Sequence, residues 1–121
     1  MAPVIQGRIS KQGEPIVPVA LHGSGKRGIE AILDTGFTGH LCLARRHRHL
    51  VKLTRMGNVE IELADGTRVT QAAYLGRVTF AGETREVLVT LTRADDSLIG
   101  TSLLAGRRVL LDFRRHSVRI N

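Results

Sequence analysis

Few side chains in this sequence stand where their type and spacing could do chemistry, and the first is a carboxylate. In "AILDTGFTGHLCL", Ala31 to Leu43, three apolar residues run straight into Asp34-Thr35-Gly36, and an apolar strand resumes after a stretch that cannot be helical. Alone, the triplet is explained by an Asx turn, because Asp and Gly share turns widely. Three features weigh against leaving it there. The Asp sits between two apolar strands, an Asp65-Gly66 hairpin lies downstream where a lid could close, and "SLIGTSLL" places Ile99-Gly100 ahead of a helical turn. A carboxylate in such a setting fits general acid-base work on water.

Other chemistries find less support. His47 and His49 in "RHRH" could share a strand face, but no carboxylate or Cys stands at a supporting spacing and the neighbouring Arg residues repel a cation, so no metal site is expected. No cofactor is expected either. His22, His40 and His116 stand alone. Cys42 is the single cysteine, has no base beside it in sequence, and reads as a plain buried thiol.

The elements that must position Asp34 read as short strands. "PVIQGRIS" and "EPIVPVALHG" flank the turn "KQGE", where Gly13 can take a positive φ; Pro15 and Pro18 lack amide donors and predict an edge strand or an irregular start. "SGKRG" turns into "IEAIL". Leu41 to Leu43 make a short strand, and Ala44 to Leu50 a loop or one helical turn. Asn58 to Leu63 alternate, with Val59, Ile61 and Leu63 on one face. The Asp-Gly that follows predicts a tight hairpin with both central residues at positive φ. Its return strand, "TRVTQAAYLGRVTF", is long enough to predict a bend at Gly76. "AGET" turns into "REVLVTLT", "RADDS" is a loop, Gly106 can end the helical turn in "TSLLAG", and "VLLDF" and "SVRI" close the chain around a polar turn. The fold class expected is therefore all-β, a small closed barrel or sandwich.

Length and composition agree. A chain of 121 residues predicts one domain over 1–121. The aromatics are only Phe37, Phe80, Phe113 and Tyr74, so Val, Leu and Ile must fill the core. The start lacks a signal-peptide layout and no apolar run reaches the roughly 20 residues of a membrane span, so a soluble, cytoplasmic protein in a reducing compartment is expected, with no membrane partner. The net charge of +7 raises nucleic acid as a partner. The basic run Ala44 to Arg55 carries no aromatic platform for bases, and a solvated surface is favoured over a nucleic-acid groove.

Taken in order, "AILDTG", "ELADGTRV", "LIGTSLL" and "RRVLLDF…SVRIN" resemble the retropepsin-like aspartic proteases, the single-domain class that includes the retroviral enzymes, over nearly the whole chain. The run Asp-Thr-Gly-Phe-Thr-Gly is more similar to small prokaryotic members than to viral ones. The resemblance implies a retropepsin-like barrel with one short helix near the C-terminus and an aspartic endopeptidase acting on polypeptides. Its catalytic triplet would be Asp34, Thr35 and Gly36, with Thr35 bracing the two active-site loops. Substrate-binding positions would be Phe37, a flap at Ala64, Asp65 and Gly66, and Ile99 and Gly100 beneath the loop.

Peptide hydrolysis of this kind uses two carboxylates sharing one proton. The chain offers one such triplet, since Asp65, Asp95, Asp96 and Asp112 are not followed by Thr/Ser-Gly, so the resemblance implies a homodimer with Asp34 repeated across a twofold axis. Viral members pair an acidic residue two positions past the triplet's glycine with an Arg after the late glycine. Here Thr38 and Thr101 stand there, and Phe37 replaces a small residue. Two alternatives belong to other classes: a peptide-binding or scaffold dimer of the same fold without proteolysis, and a basic β-barrel that binds nucleic acid.

Overall fold

The computed structural model describes residues 4–121. Ten strands follow in chain order: β1 (Ile5–Ile9), β2 (Pro15–His22), β3 (Lys26–Leu33), β4 (Leu41–Ala44), β5 (Thr54–Glu62), β6 (Arg68–Phe80), β7 (Glu83–Thr92), β8 (Ser97–Ile99), β9 (Val109–Asp112) and β10 (Ser117–Ile120). A 3₁₀ turn, Arg45–Leu50, follows β4, and a single α-helical turn, α1 (Thr101–Leu104), follows β8. The all-β expectation holds. The strands form one sheet in the order β5-β6-β7-β4-β8-β3-β2-β1-β10-β9, and an extra β6–β2 pairing closes six of them, β6-β7-β4-β8-β3-β2, into a barrel.

Alternation along the strands fills that barrel. Val17, Val19 and Leu21 on β2, Leu41 and Leu43 on β4, Val87 and Val89 on β7, and Ile99 on β8 are all buried, with Phe80 the only aromatic side chain in the core. A core of aliphatic residues is what the composition requires. Leu103 anchors α1 to it. Short hairpin connections reverse the chain and make most neighbours antiparallel, but two pairs are parallel, β3 with β8 and β4 with β7. Sequence periodicity carries no signal for that crossing.

Three local expectations need correction. β2 is not an edge strand: it pairs with β3 along its whole length, and its other side meets β1 at Pro15 and Ile16 and β6 at Ala20 and Leu21. Pro18 falls between those two contacts, where a strand tolerates a residue without an amide donor. The 63–67 turn has a three-residue loop, Ala64, Asp65 and Gly66. Leu63 N–H donates to Thr67 C=O and Gly66 N–H to Leu63 C=O, and only Gly66 has a positive φ, 86°. Asp65 instead accepts the Thr67 N–H at 2.8 Å, a side-chain turn that competes with the two-residue form.

The two-residue turn with both φ values positive occurs at Ala81 and Gly82, between the paired ends Phe80 and Glu83. This is the turn expected at "AGET"; its type went unread because Ala81 stands at φ 53°. Finally, β6 keeps unbroken register with β7 through Gly76, and the irregularity lies across from it in β5, between Arg55 and Gly57. Gly76 serves close packing, since a Cβ there would come within 3.0 to 3.3 Å of Leu53, Val51 and Val89 side chains.

Candidate active site

β3 delivers Asp34 and β4 receives the chain after it, and β8 lies between them. Leu33 pairs with Ile99 in parallel, Leu41 pairs with the same Ile99 in antiparallel, and so one buried residue holds both stems of the Asp34 loop. The Asp34 N–H donates to the Ile99 carbonyl at 2.9 Å, continuing the β3–β8 ladder into the loop. Within the turn, Asp34 Oδ1 accepts the Gly36 N–H at 2.9 Å, and the Asp34 carbonyl accepts the Phe37 N–H at 3.1 Å. The carboxylate is thus fixed in orientation by its own turn and half-buried, while Thr35 and Gly36 are exposed beside it.

The rest of the loop is held by the residues that start α1. Gly100 N–H donates to His40 C=O at 3.0 Å, Thr101 N–H to Phe37 C=O at 2.9 Å and Ser102 N–H to Gly39 C=O at 3.2 Å, while the Ser102 hydroxyl donates to Thr38 C=O. Every carbonyl from Phe37 to His40 is therefore taken by three consecutive residues. Thr38 and Thr101 take part only through a backbone carbonyl and a backbone amide, so neither needs a charge to make these bonds. Ser102 was invisible as a site residue in the sequence, where a Ser after Gly-Thr reads only as helix-start chemistry.

The approach is close enough to demand glycine. A Cβ on Gly100 would lie 2.2 Å from the Gly39 carbonyl oxygen and 2.6 Å from that of Phe37. The Phe37 ring lies over this contact, since a Cβ on Gly39 would meet it at 2.6 Å. Ile99 is wholly buried and supports the loop from below.

Phe37 also forms one wall of a cavity of about 400 Å³ between the loop and the β5–β6 hairpin, with Leu41, Val59, Ile61, Ala73 and Leu88 as its other apolar walls. The expected site residues divide accordingly. Asp34, Gly36, Phe37, Ile99 and Gly100 come together around one loop. Ala64, Asp65 and Gly66 sit exposed at the hairpin tip, and the cavity meets the hairpin through the β5 arm instead. Val59 and Ile61 were legible as a shared face; Leu88 and Thr90, reached from β7, were not.

Next to the cavity, burial and then the Arg85 charge hold the His40 imidazole below its ordinary pKa, and its Nε2 lies 3.3 Å from the Arg85 guanidinium. Burial raises the Cys42 thiol, an effect partly offset by Thr90 beside it, so Cys42 is a poor nucleophile at neutral pH. Among the described residues no three His, Cys, Asp or Glu side chains converge on a metal position. The basic 3₁₀ turn leaves Tyr74 no free face on that side, because the Arg48 guanidinium lies over its ring at 5.5 Å.

No protein-family model matches the chain, and neither does any curated protein. Among solved structures, the crystal structure of a retropepsin-like aspartic protease from Rickettsia conorii superposes with a TM-score of 0.69 over all of this chain and 92% of that one, at 18% sequence identity. The chain has the retropepsin-like fold.

Proposed function

We propose that the protein is an aspartic endopeptidase, assembled as a homodimer and acting on polypeptides. The observation that carries this reading is the Asp34 loop: a carboxylate fixed by Gly36 N–H at 2.9 Å, at the end of a strand whose ladder runs into it through Ile99. The other described Asp residues have local work. Asp65 accepts Thr67 N–H and Asp112 accepts the amides of Arg114 and Arg115, both as turn-makers. Asp95 and Asp96 lie exposed in the loop before β8. Two-carboxylate chemistry with one such group per chain needs a second copy, with both Asp34 side chains beside a twofold axis.

In that assembly one Asp34 is ionised and its mate carries the shared proton. The ionised group takes a proton from water as the water oxygen bonds to the scissile carbonyl carbon. The protonated group gives its proton to the carbonyl oxygen, which produces a neutral tetrahedral diol. Return of a proton to the amide nitrogen then lets the C–N bond break, releasing an amine and a carboxylic acid. Thr35, exposed at the turn, is positioned to brace the partner's loop, and the hairpin tip at Ala64 to Gly66 to close over an extended peptide.

An edge for the second copy supports the same reading. Among the described residues β9 ends the sheet with its outer side unpaired, and Leu110 at 55%, Leu111 at 39% and Phe113 at 58% exposure lie on it or just beyond. Unpaired edges bearing apolar side chains are surfaces that another chain covers.

The test is cleavage of a diverse peptide mixture from acidic to neutral pH by wild type and by Asp34→Asn, which keeps the Oδ1 acceptor. Wild type should cleave, and the variant should lose about two to four orders of magnitude. Equal products from both at every pH would refute the proposal and leave the peptide-binding or scaffold alternative.

A further inference from the structure

The β5–β6 hairpin leaves the barrel at a fork. β6 pairs with β7 from Phe80 and Glu83 up to Tyr74 and Val89; beyond that pair β6 stays with β5 and β7 with β4. The fork holds a cavity of about 200 Å³, with Thr70, Gln71, Ala72 and Tyr74 from the hairpin arm on one side and Leu91 and Arg45 from the barrel on the other.

The polar part of that lining offers donors and no carboxylate. A guanidinium can only donate, and the ion pairs among the described residues join other arginines, so Arg45 has no carboxylate partner. Gln71 buries its Oε1, which leaves the amide NH2 as its accessible end, and Thr70 and Tyr74 add hydroxyls. More cations stand around the fork. The Arg48 guanidinium lies over the Tyr74 ring at 5.5 Å, and Arg93 follows Thr92, the parallel partner of the Ala44 that precedes Arg45. From Thr35 to Val59 the chain carries no Asp or Glu. Acids of neighbouring elements are placed elsewhere: Glu60, opposite Thr70, holds Arg68 at 3.0 Å, and Asp96 lines a separate cavity with Arg46 and His47.

Like charges gathered on adjacent strand ends repel, and an anion between them relieves the repulsion. Ala72 and Leu91 keep water from part of the wall, which strengthens a charge-assisted hydrogen bond made there. A group with two or more oxygens can engage the Arg45 fork and a hydroxyl or amide of the hairpin arm together, which chloride cannot.

We propose that this fork is a binding site for an oxyanion, a phosphate or carboxylate group, held by Arg45 and by donors of Thr70, Gln71 and Tyr74. Because its ligands come from both sides of the fork, the bound oxyanion ties the hairpin arm to the barrel.

The experiment titrates the nitrogen-15-labelled protein with inorganic phosphate and, separately, with N-acetyl-glutamate N-methylamide, each against sodium chloride at matched ionic strength. Wild type should show saturable amide shifts centred on Arg45, Thr70 to Ala72 and Leu91. Arg45→Gln should weaken the binding about tenfold, and Tyr74→Phe, which keeps the ring beneath Arg48, about threefold. Arg27→Gln, which removes an exposed cation of β3, should bind as wild type does. Saturation should also slow amide exchange at Thr70 and Ala72.

Saturation by phosphate alone supports the site with a free ion as its ligand, and saturation by the glutamate compound alone supports it with an acidic side chain of a polypeptide. Shifts that chloride reproduces, or an affinity that Arg27→Gln lowers as much as Arg45→Gln, would show diffuse attraction to a basic surface and overturn the site. Saturation by neither compound overturns it as well. Unchanged exchange at Thr70 and Ala72 in the saturated protein overturns the tie between hairpin and barrel.

Discussion

The Asp34 amide and the Ile99 carbonyl are joined at 2.9 Å, so the candidate catalytic carboxylate is an extension of a ladder whose other member comes from late in the chain. Ile99 is buried, paired on both sides, and followed by the glycine that lets α1 approach the loop. Placement of Asp34 therefore depends on residues that lie outside its own loop.

Gly100→Ala should be among the most damaging single-methyl additions. Its Cβ would run into the carbonyl oxygens of Gly39 and Phe37, backbone atoms that cannot step aside without breaking the bonds from Thr101 and Ser102. A loss of at least about 2 kcal/mol in urea unfolding is expected. Gly28→Ala, with nothing within 4 Å of its Cβ, is the matched control and should be neutral or slightly stabilising.

Charge on the β9 edge should separate the two copies. Phe113→Asp and Leu110→Asp replace exposed side chains, so thermal stability of the single chain should stay within about 0.5 kcal/mol. In sedimentation, wild type should run as a dimer and both variants as monomers, with peptide cleavage lost in parallel. A wild type that remains monomeric at concentrations where it cleaves would refute the two-chain site.

Acid should weaken the fold partly through His40. Burial and Arg85 lower its pKa in the folded chain below the ordinary 6.5, so the unfolded chain binds the proton first. Stability from this group is complete above pH 6.5 and declines as pH falls toward the lowered folded value. His40→Gln, which can still accept from Arg85, should flatten the fall in melting temperature as pH drops below 6.5. An unchanged slope would show that His40 does not titrate differently on folding.

Gly66→Ala places a side chain at φ 86°, a region L-residues enter at a cost of about 1–2 kcal/mol. Equilibrium unfolding should register that loss, and faster amide exchange at Leu63 should accompany it, because its bond to the Thr67 carbonyl closes the turn. No change in either would mean that the hairpin tip is not held in the three-residue form.

The strand content, the aliphatic core and the Asp34 turn could be read from the sequence because each is local: alternation at Val59 and Ile61, an apolar approach through Ile32 and Leu33, and turn residues at Asp34 to Gly36. What stayed hidden was non-local. Pro18 suggested an edge because its missing amide is visible and the handover of β2 from β1 to β6 is not. The turn at "AGET" was legible but its type was not, because alanine seldom adopts the positive φ that Ala81 has. Ser102 gained its role only when the fold brought α1 against the Asp34 loop.

β8 occupies the slot between β3 and β4, and its Ser97 hydroxyl accepts the Ala44 amide from 53 positions further along the chain. A nascent polypeptide that has emerged only as far as β7 consequently exposes two strand edges facing an empty lane, and its acidic loop lacks half of its anchors. The Asp34 loop is thereby set only once a three-residue strand has slid into place, and until then the emerging chain is a client for whatever shields unpaired edges at the ribosome.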